Sequence, residues 1–105
     1  MNREGKYTSE QVQRVLRVML ALAGNEFRGM LLKEVALAAE CTNDNALRAL
    51  ENLRTAGLAD RSPHDHHRWL LGSRLVQVSF AFDEALNKAQ HELHERRQRY
   101  TRIPN

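Results

Sequence analysis

Two short helical patterns meet across a break of only four residues, Glu40-Cys41-Thr42-Asn43. A connection that short forces the two helices to cross sharply, and few folds use such a crossing. Before the break, Leu32, Val35, Ala36 and Ala39 recur at helical spacing over Leu31–Glu40. After it, Thr42 is a suitable N-cap for a helix over Asn43–Ala56, and Gly57 stands where a C-terminal glycine belongs. At about 100° per residue, Ala46, Ala49, Leu50 and Leu53 cluster on one side of that helix, with Leu47 at the margin. Asp44, Asn45, Arg48, Glu51 and Asn52 fall on the other side.

The flanking segments extend the pattern. Thr8-Ser9-Glu10-Gln11 reads as a capping box with Thr8 as N-cap, followed by an apolar stripe of Val12, Val15, Leu16, Met19, Leu22 and Ala23. Gln13, Arg14 and Arg17 lie off that stripe, Gly24-Asn25 ends the helix, and residues 25–29 form a loop. Beyond Gly57 come two extended runs, Leu58–Arg61 and Arg68–Leu71. The polar segment from Ser62 to His67 joins them as a hairpin turn. Trp69, beside Leu70 and Leu71, is expected in the core. A helix from Arg74 to Arg99 follows, with Leu75, Val78, Phe82, Ala85, Leu86 and Ala89 on its seam; Val76–Phe80 taken alone alternates like a strand. The expected fold is mainly α. It is a winged helix-turn-helix of three helices and a two-stranded β-wing over residues 1–73, then a long helix over 74–99 and a basic, disordered tail over 100–105.

Composition narrows the class. The chain has 105 residues, one domain's worth, with a formal net charge of +3. No apolar run is long enough to span a bilayer, and the polar N-terminus lacks the features of a signal peptide. A single cysteine, Cys41, excludes an internal disulfide and suits a reducing, cytoplasmic setting. No nucleophile–base pair, phosphate-cradling glycine loop or metal-ligand spacing is present, so no enzyme, cofactor or metal is expected. His64, His66 and His67 crowd the hairpin tip without matching a structural zinc pattern.

In this order of elements the helix after the break usually enters the DNA major groove by its N-terminal half. Its polar face carries suitable chemistry, because arginine bonds bidentately to guanine or phosphate and asparagine to adenine. The expected DNA contacts are Thr42, Asn43, Asp44, Asn45, Arg48 and Asn52. Arg61, His66, His67, Arg68 and Arg74 from the wing join them as phosphate contacts. Arg96, Arg97, Arg99 and Arg102 leave two readings open: further phosphate contacts, or a solvated helix end whose cations suit the helix dipole.

Three stretches together resemble the N-terminal domain of the IclR family of bacterial transcription regulators. They are Leu32-Lys33-Glu34-Val35-Ala36, the run from Asn45 to Leu53, and Ala56-Gly57-Leu58. Trp69-Leu70-Leu71-Gly72-Ser73-Arg74-Leu75 is similar to the family's segment leading into its linker helix. The resemblance covers roughly residues 12–82. It implies a sequence-specific double-stranded DNA-binding transcription regulator that acts as a homodimer on a pseudo-palindromic operator. The seam of Leu75, Val78, Phe82, Ala85, Leu86 and Ala89 would then be its dimer contact. The sequence departs from the family at Asp44 and Asn45, where serine or threonine is common. It also lacks the family's effector domain, so no small-molecule effector is expected. Compactness suits a repressor carried by a phage or other mobile element. The competing reading is a winged helix used as a protein-docking module, which Asp44 and Glu51 on the exposed face favour.

Overall fold

A computed structural model describes residues 3–102. The elements are α1 (Arg3–Tyr7), α2 (Glu10–Leu22), β1 (Met30–Leu31), α3 (Leu32–Ala38), α4 (Asn43–Thr55), β2 (Ala59–Arg61), β3 (Arg68–Leu71) and α5 (Ser73–Thr101). They divide into two units, one up to Leu75 and one from Val76 onward, so the division falls inside α5.

In the first unit, α2, α3 and α4 pack around one core. Val18 and Leu22 of α2 meet Val35, Ala36 and Ala39 of α3 and Ala46, Ala49, Leu50 and Leu53 of α4, and Ala59 and Trp69 close the cluster from the sheet. The buried face of α4 is the one its periodicity predicts. That of α2 is so in part: Val15, Met19 and Leu22 pack in or on the core, but Val12 and Leu16 are 54% and 41% exposed, and Val18, off the expected stripe, is fully buried. Apolar side chains lie on more than one side of α2, so its packing on α4, α3 and β3 decides which of them leave water. The cap also shifts by one residue from the expected Thr8. Ser9 is extended, its hydroxyl accepts from the Val12 N–H, and its carbonyl accepts the first helical hydrogen bond from the Gln13 N–H.

The sheet has three antiparallel strands rather than two, in the order β1-β3-β2. Met30 pairs with Trp69 and Leu31 with Arg68, while Ala59, Asp60 and Arg61 pair with Leu71, Leu70 and Trp69. β1 is two residues long, too short to leave a periodic signal, and it runs directly into α3. The Leu31 N–H donates to the Glu34 carboxylate at 2.8 Å, which caps the start of α3. Gly72 follows β3 where the backbone passes so close to β2 that a Cβ would overlap the Gly57 carbonyl.

α3 and α4 end in the same way. The Cys41 N–H donates to the Ala36 carbonyl and the Glu40 N–H to Leu37; at the end of α4, the Leu58 N–H donates to Leu53 and the Gly57 N–H to Arg54. This motif places the residue after the cap in the left-handed region. At α4 that residue is Gly57, with φ of 81°, whereas at α3 it is Glu40, with φ of 55°. A side chain with a Cβ is strained there.

α5 continues to Thr101, so Tyr100 and Thr101 are helical rather than part of a disordered tail. The Thr101 hydroxyl donates to the Arg97 carbonyl, and Arg99 in the last turn suits the helix dipole. Residues 103–105 of the expected tail lie outside the described residues. Val76–Phe80 is helical.

Replacing Glu40 by glycine should raise the unfolding free energy by about 0.5–1 kcal/mol, and Gly57→Ala should lower it by about 1 kcal/mol or more. Urea unfolding curves measure both. Destabilisation by Glu40→Gly would show that this turn is not left-handed in solution.

Candidate nucleic-acid interface

α4 is held at both ends, which fixes the direction of its polar face. The Thr42 hydroxyl accepts from the Asn45 N–H at 3.1 Å, and Gly57 closes the other end. Asn43 and Asp44 are exposed in the first turn, where a carboxylate suits the positive end of the helix dipole. Asn45 is half-buried, while Arg48 and Asn52 are exposed. The Asn52 amide donates to the Arg48 carbonyl at 2.8 Å, so this side chain folds back along α4 and keeps its amide oxygen as an outward acceptor.

Beside this face runs a groove of about 310 Å³ between α4 and α2, with Asn45, Arg48 and Asn52 on one bank and Gln11 and Arg14 on the other. Val12, Val15 and Ala49 contribute its apolar floor. Among the described residues, neither Arg14 nor Arg48 takes part in an ion pair. Two guanidinium groups therefore border one polar groove with no internal carboxylate to hold them. The sequence reading placed Arg14 only off the apolar stripe and Gln11 only in a cap. Their position beside Arg48 follows from the packing of α2 on α4, which no local pattern encodes.

The wing arginines are placed differently. Arg61 lies with its guanidinium carbon 4.3 Å from the centre of the Trp69 ring, donates to the His66 carbonyl at 2.7 Å and sits 3.7 Å from Glu51. Arg68 donates to the Gly29 carbonyl at 3.3 Å and pairs with Asp65 at 3.4 Å and Glu34 at 3.6 Å. Both side chains hold the sheet together. Arg74 is exposed and lies along Gly57, outside any ion pair among the described residues.

The tip from Ser62 to His67 is tied down by its own polar groups. Buried Ser62 accepts from the His64 N–H through its hydroxyl, and the Asp65 carboxylate accepts from the His67 N–H. His64, His66 and His67 all remain exposed. Among the described residues, no three histidine, cysteine or acidic side chains are placed to hold a metal ion.

No family model matches the chain, and no curated protein matches it. Among solved structures, a point mutant of MepR from S. aureus is similar, with a TM-score of 0.50 and 18% identity over 89% of this chain and 69% of that one. The fold is that of a winged helix. At this identity the likeness carries the architecture alone. Within the winged helix, α4 is the second helix of the helix-turn-helix and β2–β3 forms the wing.

Two outcomes separate the structural cations from the exposed ones. Arg68→Ala should cost about 1–2 kcal/mol of stability, because it strips partners from Gly29, Glu34 and Asp65, whereas Arg48→Ala should stay within about 0.5 kcal/mol. Chemical denaturation of both variants is the check. The Leu31 N–H hydrogen bond, with the Arg68 charge adding to it, holds the Glu34 carboxyl below the ordinary carboxylate range. A lowered folded-state pKa adds stability above the unfolded value, and that stability is lost as pH falls through the folded value. The acid limb of the melting temperature against pH should therefore be shallower in Glu34→Gln than in the parent.

Proposed function

We propose that this chain is a sequence-specific, double-stranded DNA-binding transcription regulator that works in the cytoplasm as a homodimer. It acts as a repressor on a pseudo-palindromic operator. The observation that carries the reading is the pair of guanidinium groups of half-buried Arg14 and exposed Arg48 beside the polar face of α4, neither in an ion pair among the described residues. Arg48 and Asn45 are the base-reading side chains, with the Asn52 amide oxygen as an acceptor beside them. Arg14, Gln11 and Arg74 contact phosphates and set the register. Thr42 and Asn43 bring the N-terminus of α4 to the backbone, and Asp44 receives a cytosine amino group. His66 and His67 approach the backbone from the wing tip. Arg61 and Arg68 shape the wing, and any phosphate contact they make is additional to that role.

MepR, the structural neighbour, is a winged-helix regulator of the MarR family, which is consistent with this reading. The resemblance of Leu32–Ala36, Asn45–Leu53 and Trp69–Leu75 to segments of the IclR family is consistent with it from the sequence side. Repression by occupancy needs no effector pocket, and a compact regulator of this kind suits a phage or another mobile element. Among the described residues no helix is long and apolar enough to cross a membrane.

A second reading, docking to another protein, is favoured by the exposed apolar row Val12, Leu16 and Leu20 along α2. The two readings diverge in a fluorescence-anisotropy titration against a selected duplex. DNA binding predicts a steep loss of affinity with salt. Arg48→Ala should weaken binding roughly tenfold or more and relax preference at one base pair, while Arg14→Ala should weaken all sequences alike and lower the salt slope by about one. Folded protein with no salt-sensitive affinity for duplex would leave the docking reading in its place.

A further inference from the structure

The second unit is a lone helix with its apolar side chains in water. From Val76 to Arg102 every residue is exposed, including Phe82 at 69% and Leu93 at 67%. An isolated helix of this kind is marginal in water unless its apolar side is covered. Because α5 continues to Thr101, its seam is longer than the sequence reading placed it. Ser79, Leu86, Leu93 and Tyr100 recur every seven residues, and Leu75, Phe82, Ala89 and Arg96 recur every seven residues beside them. That is the two-row repeat of a coiled coil.

We infer that α5 pairs with α5 of a second copy in an antiparallel coiled coil centred between Asn87 and Lys88. The inference rests on the homodimer reading above and adds the direction of the pair. In the antiparallel arrangement the two rows face each other. Leu86 meets the partner's Ala89, Phe82 meets the partner's Leu93, and Tyr100 reaches the partner's Leu75. Arg96 falls opposite the partner's Ser79, a small polar residue past which a guanidinium reaches water. Arg97 and Arg99 lie along the partner's Val76 and Val78, and their methylene stems cover those exposed valines.

A parallel pair sets equal numbers together. It places Arg96 on the partner's Arg96 inside the seam and gathers Arg97, Arg99 and Arg102 of both copies at one end. Its compensation is a flanking Glu92–Arg97 contact on each side, an exposed ion pair of the kind that contributes little. Like charges facing each other within an apolar seam outweigh it. The complementarity of the two rows fits a second copy as the occupant, and the charge pattern of α5 selects its direction.

The test uses the full chain carrying Cys41→Ala, which removes the only native thiol, and Gln98→Cys on the outer face of α5, labelled with a nitroxide. In the antiparallel pair the two labelled positions lie about 30 Å apart along the axis, at about 1.5 Å per residue. In a parallel pair they lie at the same level on opposite outer faces, separated only by the width of the two helices, about 20 Å. Sedimentation should show a dimer, and double electron–electron resonance a distance near the larger value. A dimer with the labels at the shorter distance would overturn the antiparallel direction and leave the homodimer reading standing. A monomer would overturn both. Leu93→Asp, in the seam and outside the core cluster of the winged unit, should give a monomer that keeps the parent's near-ultraviolet tryptophan signal; a persistent dimer would show that this seam is not the contact.

Discussion

The packing of α2 on α4 is the contact on which the rest depends. Val18 and Leu22 meet an α4 face built of Ala46, Ala49, Leu50 and Leu53, all buried. The alanines let the two backbones approach, and the leucines supply apolar area, at about 1.5–3 kcal/mol for each fully buried large side chain. α4 is thereby held with its polar face outward and its N-terminal half beside the start of α2. The same contact creates the groove that brings Arg14 alongside Arg48. Core and candidate interface are two sides of one helix pair.

A second constraint sorts the cations. Arg17 bridges Glu10 and the Ala39 carbonyl, Arg54 and Arg61 approach Glu51, and Arg68 joins Gly29, Glu34 and Asp65. These groups exchange water for protein oxygen and hold α2 to α3 and the wing to the helices. Among the described residues, Arg14, Arg48 and Arg74 stay outside such pairs, Arg14 half-buried and the other two exposed. A modest net charge of +3 therefore conceals an uneven surface, with the guanidinium groups of Arg14 and Arg48 gathered around one groove.

Much of the winged unit was legible in the sequence. α4 combines a strong period, an N-cap at Thr42 and a glycine at 57, and these agree with one another, so its buried face and its limits follow from local rules. Trp69 was readable as core for a similar reason. β1 was not legible, because two residues carry no period and its strand character comes from pairing with β3. The buried face of α2 was legible only in part: Val15, Met19 and Leu22 face the core as the period implies, but Val12, Leu16 and Leu20 are as apolar as the side chains that are buried. Glu40 adopts a conformation that sequence assigns to glycine, and only the hydrogen bonds closing α3 reveal it. On the polar face of α4, Arg48 and Asn52 were readable from periodicity. Arg14 required the tertiary contact, and the structural duty of Arg61 and Arg68 required the sheet register.

The central claim is that the groove and polar face shared by α2 and α4 meet duplex DNA. It is tested most directly by selecting a duplex from a random library and mapping its contact on the isotope-labelled protein by amide chemical shifts. The account predicts an enriched, two-fold-related sequence, with shifts concentrated at Gln11–Arg14, Thr42–Asn52 and the wing tip. No enriched sequence, or shifts confined to other surfaces, would contradict it.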